Sequence, residues 1–335
     1  VPGADAATDP AVSRAGLLHA YLLDGRGGGR ALSWDEVRTW QPADGVLWIN
    51  LDYSQPDARS WLERDAGLSA VVAETLTDVD PRPGVQVMGP EALLIARGIN
   101  VNEGADAVDM VSMRAWIEAR RVITMRRRPM RTLRHIAAEL DAGRGPRSIG
   151  DFVVLMIERV LAPVVALVTE LDEQVGVGEE DLLDAHTSKD LRSRLSVVRR
   201  RAIALRRFIG PQRDAFDAIA AAHVPWLDDG HRAELQLSAT RLTRTVEELD
   251  ALRDRAAVCA EELSSRANDL ANQRLYILSI MTALFMPLGF VCGLLGVNVG
   301  GIPFTGEPAA FWVLLAIFAA ATGLQIWFFR RRGWF

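Results

Sequence analysis

Apolar positions along this chain fall into three successive rhythms. From residue 17 to residue 126 the runs are short. Leu17–Leu23, Val46–Asp52, Ala92–Val101, Val111–Ile117 and Val122–Arg126 are apolar or alternating stretches that predict β-strands. Val111–Ile117 and Val122–Arg126 flank Glu118-Ala119-Arg120-Arg121 and predict a hairpin. Pro56–Ala66 and Ser69–Asp78 carry three- and four-residue spacing and predict helices, the first with a proline near its start. Pro129–Ala142 predicts another, broken by Gly143-Arg144-Gly145-Pro146.

From Ser148 the rhythm is helical. Asp151–Val175 predicts one strongly apolar helix with a kink at Pro163. Gly176-Val177-Gly178 predicts a turn, and Leu182–Ala222 a second helix interrupted near Gly210-Pro211. After a turn at Pro225–Gly230, the stretch from His231 to Leu295 has no proline before Pro287 and no glycine before Gly289. Leu242, Val246, Leu249, Leu252, Ala256, Ala260, Leu263, Ala267 and Leu270 recur at steps of three and four, the pattern of a packed helix face. At 1.5 Å per residue such a helix is roughly 100 Å long. The pattern therefore predicts a stalk and a first membrane span in one rod.

The third rhythm is continuous. Leu275–Leu295 and Phe311–Phe329 carry no formal charge, and each approaches the roughly 20 residues that cross a hydrocarbon core. Two membrane spans are expected, with a pair of buried core helices as the alternative. Arg266 and Arg274 precede the first span, and Arg330, Arg331 and Arg332 follow the second. The segment between them has Glu307 as its sole charge, so the turn is expected outside and both termini in the cytosol. Phe311 and Trp312 at one end, with Trp327, Phe328, Phe329 and Trp334 at the other, match interfacial aromatic belts.

The resulting plan is an α/β cytosolic domain over 1–147, antiparallel cytosolic helices over 148–230 and a stalk helix over 231–274. A first transmembrane helix with its terminal motif covers 275–298, an outer loop 299–310, and a second transmembrane helix with a cytosolic tail 311–335. One hairpin of helices is too small to enclose a polar path, so a conducting chain must oligomerise.

Composition adds exclusions. A length of 335 residues suits about two domains. The net charge of −5 gives no basic field for nucleic acid. Cys259 and Cys292, on one helix, would stand about 50 Å apart, which excludes an internal disulfide. Val1–Arg14 lacks the basic-then-apolar order of a secretory signal and is expected to be disordered. With no phosphate loop, nucleophile motif or metal-hydrolase spacing, no enzyme and no resident cofactor are expected.

A cytosolic α/β domain, a long stalk, two C-terminal spans and a Gly-X-Asn at the outer turn resemble the CorA family of divalent-cation transporters. Met286-Pro287-Leu288-Gly289-Phe290 resembles the family's Met-Pro-Leu-Thr-Phe element, and Gly296, Val297 and Asn298 stand where magnesium-type members carry Gly-Met-Asn. Val297, followed by Val299-Gly300-Gly301-Ile302-Pro303, is similar to the zinc-transporting ZntB branch. So are Val111–Arg128, with Trp116 and Arg126-Arg127-Arg128-Pro129, and the Gly-Trp-Phe terminus. The resemblance implies a funnel-shaped homopentamer in the bacterial inner membrane, contacting lipid, with the first span lining a central pore. It implies Zn2+ transport, with proton-coupled uptake as that branch's mode. The broader family's Mg2+ and Co2+ remain the alternative, with Ni2+ and Cd2+ as further cargo.

Projected on the first span, Asn272, Leu275, Leu278, Thr282, Met286, Gly289 and Gly293 lead to Asn298 at mostly three- and four-residue steps. This stripe has no charge. A bare dication needs carboxylates or several oxygens to replace its water, so a neutral stripe implies a partly hydrated ion. Five Asn298 amides would hold it at the outer mouth, although Asn is also a common helix C-cap. Leu275, Leu278 and Met286 would form apolar rings that gate by dewetting, or would pack on a neighbour. Glu307 would concentrate cations near the entrance, or would be a solvated acid favoured by a helix N-terminus.

Zinc prefers imidazole and thiolate ligands, and the stripe offers neither. Glu179-Glu180-Asp181-Leu182-Leu183-Asp184-Ala185-His186 supplies Asp181, Asp184 and His186 as candidate cytosolic metal ligands, with Glu261 on the stalk as another. An acidic helix N-terminus accounts for that run without metal and is preferred. Arg126-Arg127-Arg128 is read as a solvated strand end before an anion site. His19, His135, His223 and His231 are expected at the surface. A tail-anchored scaffold remains the reading from another class.

Overall fold

Strand β3 (Val46–Asp52) is apolar through most of its length because both of its faces are covered. Leu47, Ile49 and Leu51 share a buried cluster with Trp61 and Leu62 of helix α2 (Pro56–Arg64) and Leu76 of helix α3 (Ala70–Thr77). Trp48 points the other way, and its ring centre lies 5.1 Å from that of Phe152 on helix α5 (Ile149–Leu183). The period-two alternation thus sorts side chains between two helical layers. The computed structural model describes residues 16–79, 81–102, 104–183, 189–296 and 306–332.

Seven strands form the sheet. β1 (Leu17–Leu23) pairs antiparallel with β2 (Gly29–Ala31) and with β3. β3 pairs parallel with β7 (Arg121–Arg126). Beyond it, β6 (Val111–Ile117), β5 (Glu91–Gly98) and β4 (Gly84–Met88) add antiparallel neighbours, giving the order β2-β1-β3-β7-β6-β5-β4. The expected β6–β7 hairpin is present. β5 ends at Gly98 rather than at Val101. Periodicity missed β2, β4 and helix α1 (Trp34–Thr39), which are too short to show it. α1 had another signal: Ser33 and Glu36 form a capping box, with the Ser33 N–H donating to Glu36 at 2.8 Å.

On the Trp48 face lie helix α4 (Arg131–Asp141), α5 and helix α6 (Lys189–Ala220). Three expectations change here. Gly176-Val177-Gly178 makes no turn, because α5 runs through it to Leu183. A Cβ on Gly178 would stand 3.0 Å from Leu195 and 3.3 Å from Leu191 of α6, so this glycine permits close helix approach. α6 begins at Lys189, and Gly210-Pro211 does not interrupt it. Buried Gln212 accepts the Arg97 backbone N–H at 2.7 Å, tying α6 to the end of β5. The acidic run therefore does not open a helix. Glu179, Glu180 and Asp181 lie in the last turns of α5.

Helix α7 runs unbroken over Asp229–Leu295. Leu235, Ala239, Leu242, Val246, Leu249, Leu252, Ala256 and Cys259 form its buried stripe. That stripe stops short of the expected end: Ala267 and Leu270 are exposed in a single chain. Arg255 on α7 bridges to α5, with Glu179 at 2.7 Å and Asp172 on its other side. Arg206 on α6 meets Asp250 on α7 at 3.1 Å. The chain divides into two units, Val1–Ala260 and Glu261–Phe335.

Among the described residues three helices are long and apolar enough to cross a membrane: α5, α7 and helix α8 (Ala310–Arg331). More than half of α5's apolar window is buried inside the first unit. Its hydrophobicity is used by the protein core. None of the apolar window of α7 or α8 is buried.

Candidate functional site

In the second unit the C-terminal part of α7 meets α8 through one side of each helix. Ile280, Ala283, Leu284 and Leu288 are its less exposed residues on α7, and Leu314, Phe318, Thr322, Gln325 and Phe329 those on α8. A hydrogen bond joins the two sides: Gln325 Nε2 donates to the Ala283 carbonyl at 3.4 Å. Pro287 explains that bond. It lies inside α7 and has no N–H, so the carbonyl four residues earlier, Ala283, loses its helical donor. In hydrocarbon no water replaces such a donor, and a neighbouring helix must supply it.

The sequence-derived stripe lies on the opposite side of α7. At roughly 100° per residue, Leu275, Leu278, Thr282, Met286, Gly289 and Gly293 centre about half a turn from the side that α8 covers. Asn272 falls to one flank of the stripe. All seven are exposed in one chain, Leu275 at 60%, Leu278 at 62% and Met286 at 68%. Thr282 donates its hydroxyl to the Leu278 carbonyl at 2.8 Å, which leaves the oxygen's lone pairs facing outward. Nothing stands within 4 Å of a Cβ built on Gly289 or Gly293. The stripe is an uncovered, uncharged surface of apolar side chains, one amide, one hydroxyl and bare backbone. An apolar surface of this extent requires lipid or further protein.

Gly296 caps the described part of α7, donating its N–H to the Cys292 carbonyl at 2.9 Å. Val297 and Asn298 lie outside the described residues. Glu307 is exposed in the turn before α8, and its carbonyl accepts the Ala310 N–H at 3.0 Å. At the other end of α8, Arg331 lies 5.3 Å from the Trp327 ring centre and Arg332 lies 5.4 Å from that of Phe328. Cations stacked on aromatics suit a water–lipid boundary.

Of the candidate metal ligands, Asp181 and Glu261 lie within the described residues. Asp181 faces Arg194 at 3.5 Å, and Glu261 is exposed on α7. Asp184 and His186 lie outside the described residues. No group of three or more His, Cys, Asp or Glu fit to hold a metal occurs among the described residues. Of the histidines expected at the surface, His231 is instead largely enclosed. Its Nε2 lies 3.0 Å from Asp151 of α5 and its Nδ1 2.8 Å from Asp228. Burial pushes the Asp151 carboxyl up, but the His231 bond and the Arg147 N–H outweigh it and hold it below the usual range. No spacing rule marks this link, because Asp151 and His231 are far apart in the chain.

Comparison with known proteins adds the family. The CorA-like Mg2+ transporter protein profile matches residues 43–331. The divalent cation transporter CmaX of Pseudomonas aeruginosa is 36% identical over 323 residues, covering 95% of this chain and 97% of that one. The zinc transport protein ZntB of Pectobacterium atrosepticum is 32% identical over 323 residues, covering 96% of this chain and 97% of its own. The structure of full-length CmaX superposes with a TM-score of 0.84 at 35% identity, covering 95% of this chain and 98% of that one. The chain belongs to the CorA-like Mg2+ transporter family, whose members transport divalent cations and are not enzymes.

Proposed function

We propose that this protein carries Zn2+ across the bacterial cytoplasmic membrane through a path built by several copies of the chain. The observation that carries the path is the uncovered neutral stripe of α7, opposite the side backed by α8, and the similarity to a zinc transport protein supports Zn2+ as its cargo. Copies arranged with their stripes inward, five in the arrangement the sequence resemblance implies, enclose a path that one hairpin cannot. Ala267 and Leu270, earlier on α7 and on another side of it, are further exposed apolar positions and fit association of several copies. Arginine placement supports both termini in the cytosol, with Glu307 at the outer mouth.

A path without carboxylates does not strip a dication, so the ion travels with part of its water shell. Asn298 holds that shell at the entrance, and Leu275, Leu278 and Met286 close the path by dewetting. No stripe residue titrates near neutral pH, which gives proton coupling no group to act through on the stripe itself. The second reading is Mg2+, favoured by the same neutral stripe, since a strongly hydrated ion needs no soft ligands.

Flux into proteoliposomes tests both. Zn2+ uptake is expected in the unaltered protein and at least tenfold less in Asn298→Ala, with oligomer size in detergent unchanged. Uptake unaffected by Asn298→Ala overturns the entrance role. Mg2+ passing while Zn2+ does not moves the assignment to the second reading. A pH gradient that drives Zn2+ uptake would require a titrating group off the stripe.

A further inference from the structure

Several segments converge at the sheet edge where β3, β5 and β7 end and β6 begins. Tyr53 follows β3, Arg97 is near the end of β5, Arg127 and Arg128 follow β7, and Ser112 and Arg114 open β6. Together they line a cavity of about 390 Å³, a size that admits a small ligand. The crevice beyond the carboxyl ends of parallel strands is a recurrent ligand position. Of the described lining residues, Arg97, Arg114, Arg127 and Arg128 are cationic, and Asp109 is the only acid. Arg128 already holds Asp109 at 2.6 Å.

Arg114 is the member that requires an explanation. It is 1% exposed. Its Nη1 donates to the Leu76 carbonyl at 2.6 Å and its Nη2 to the Asp78 carbonyl, and its guanidinium lies 4.5 Å from the Tyr53 ring centre. Those carbonyls close the end of α3 but carry no full charge. Its Nε has no hydrogen-bond partner; the Asp78 charge acts on it from beyond ion-pair distance, and no ion pair to Arg114 occurs among the described residues. Buried cations ordinarily sit with a counter-charge. Burial lowers the Arg114 pKa, yet a guanidinium stays protonated at neutral pH. Beside it the Ser112 hydroxyl is buried without a partner, and exposed Arg127 has no ion pair among the described residues.

We propose that this cavity binds a small phosphate-bearing anion through Arg114, Arg127 and Ser112. Guanidinium forks match tetrahedral oxyanions, and the serine hydroxyl adds a neutral donor. The volume exceeds that of one phosphate, so the fitting class is a molecule with two or more phosphoryl groups. The site gives a use to part of the Arg126-Arg127-Arg128 run, which the ion path leaves idle. It shares no residue with that path, so it stands or falls separately from the transport reading.

Calorimetric titration of the full chain in detergent, metal-free and at fixed ionic strength, tests the assignment. Inorganic pyrophosphate is the probe, with citrate and chloride as comparison anions. Saturable pyrophosphate binding is expected, weakened at least tenfold by Arg127→Ala, an exposed position that leaves folding intact. Arg114→Gln is expected to abolish binding where thermal unfolding shows the variant folded. No saturable pyrophosphate binding overturns the proposal, and so does Arg127→Ala binding as the unaltered protein does. Citrate or chloride binding as tightly as pyrophosphate overturns the phosphate assignment.

Discussion

Tyr21 shows how a single side chain reports on the core of the first unit. It sits in β1, and its hydroxyl donates to Asp141 of α4 at 2.9 Å. Burial, reinforced by the neighbouring Asp141 carboxylate, pushes the phenol from its ordinary value of 10.0 up to about 12. Because the folded value is raised, the stabilisation is complete below about pH 10 and is lost as pH rises through about 12. Stability should fall by roughly 2 to 3 kcal/mol across that interval, since the unfolded chain ionises first. Titration followed by tyrosinate absorbance should show one of the three tyrosines ionising late. Tyr21→Phe should remove that late step and cost about 1 kcal/mol at neutral pH. A late step that survives Tyr21→Phe contradicts the assignment. The stripe residues were legible in the sequence because they depend only on helix spacing. His231 and Arg114 were not, because what gives each its setting lies on other elements.

At the scale of elements, glycine within helices was the signal that misled. Gly176 and Gly178 stand two residues apart in α5, yet their surroundings differ. Nothing lies within 4 Å of a Cβ at Gly176, whereas Gly178 has Leu191 and Leu195 of α6 against it. Substitution should therefore act in opposite directions. Gly176→Ala should stabilise by roughly 0.5 to 1 kcal/mol through helix propensity. Gly178→Leu should destabilise by roughly 1 to 3 kcal/mol through overpacking. Denaturant unfolding measures both, and two changes of the same sign would show that α5 and α6 do not pack as described. A local rule treats both glycines as breakers, but packing against another helix separates them. Pro287 carries the same lesson in the membrane hairpin. It lies inside α7 without breaking it, and Gln325 of α8 donates to the carbonyl that Pro287 frees.

For the whole molecule the question is which apolar helix meets lipid. Hydropathy and length select three, and burial separates α5 from the other two. A chain ending at Ala260 should be soluble without detergent and should unfold cooperatively, because α5 is covered by its own domain. Aggregation of that fragment despite correct secondary structure would mean that α5 also needs the membrane. By itself the sequence determined most strands of the sheet, the long α7, the two apolar C-terminal helical segments and the neutral stripe. Each follows from periodicity, charge placement or length within one segment. Only the tertiary structure decided that α5 belongs to a protein core. The same is true of the continuity of α5 and α6 through glycine and proline, and of where the covered face of α7 ends. It also decided that a buried arginine faces a cavity at the sheet edge. Those outcomes depend on which surfaces are covered by residues distant in the chain, and no local pattern records that.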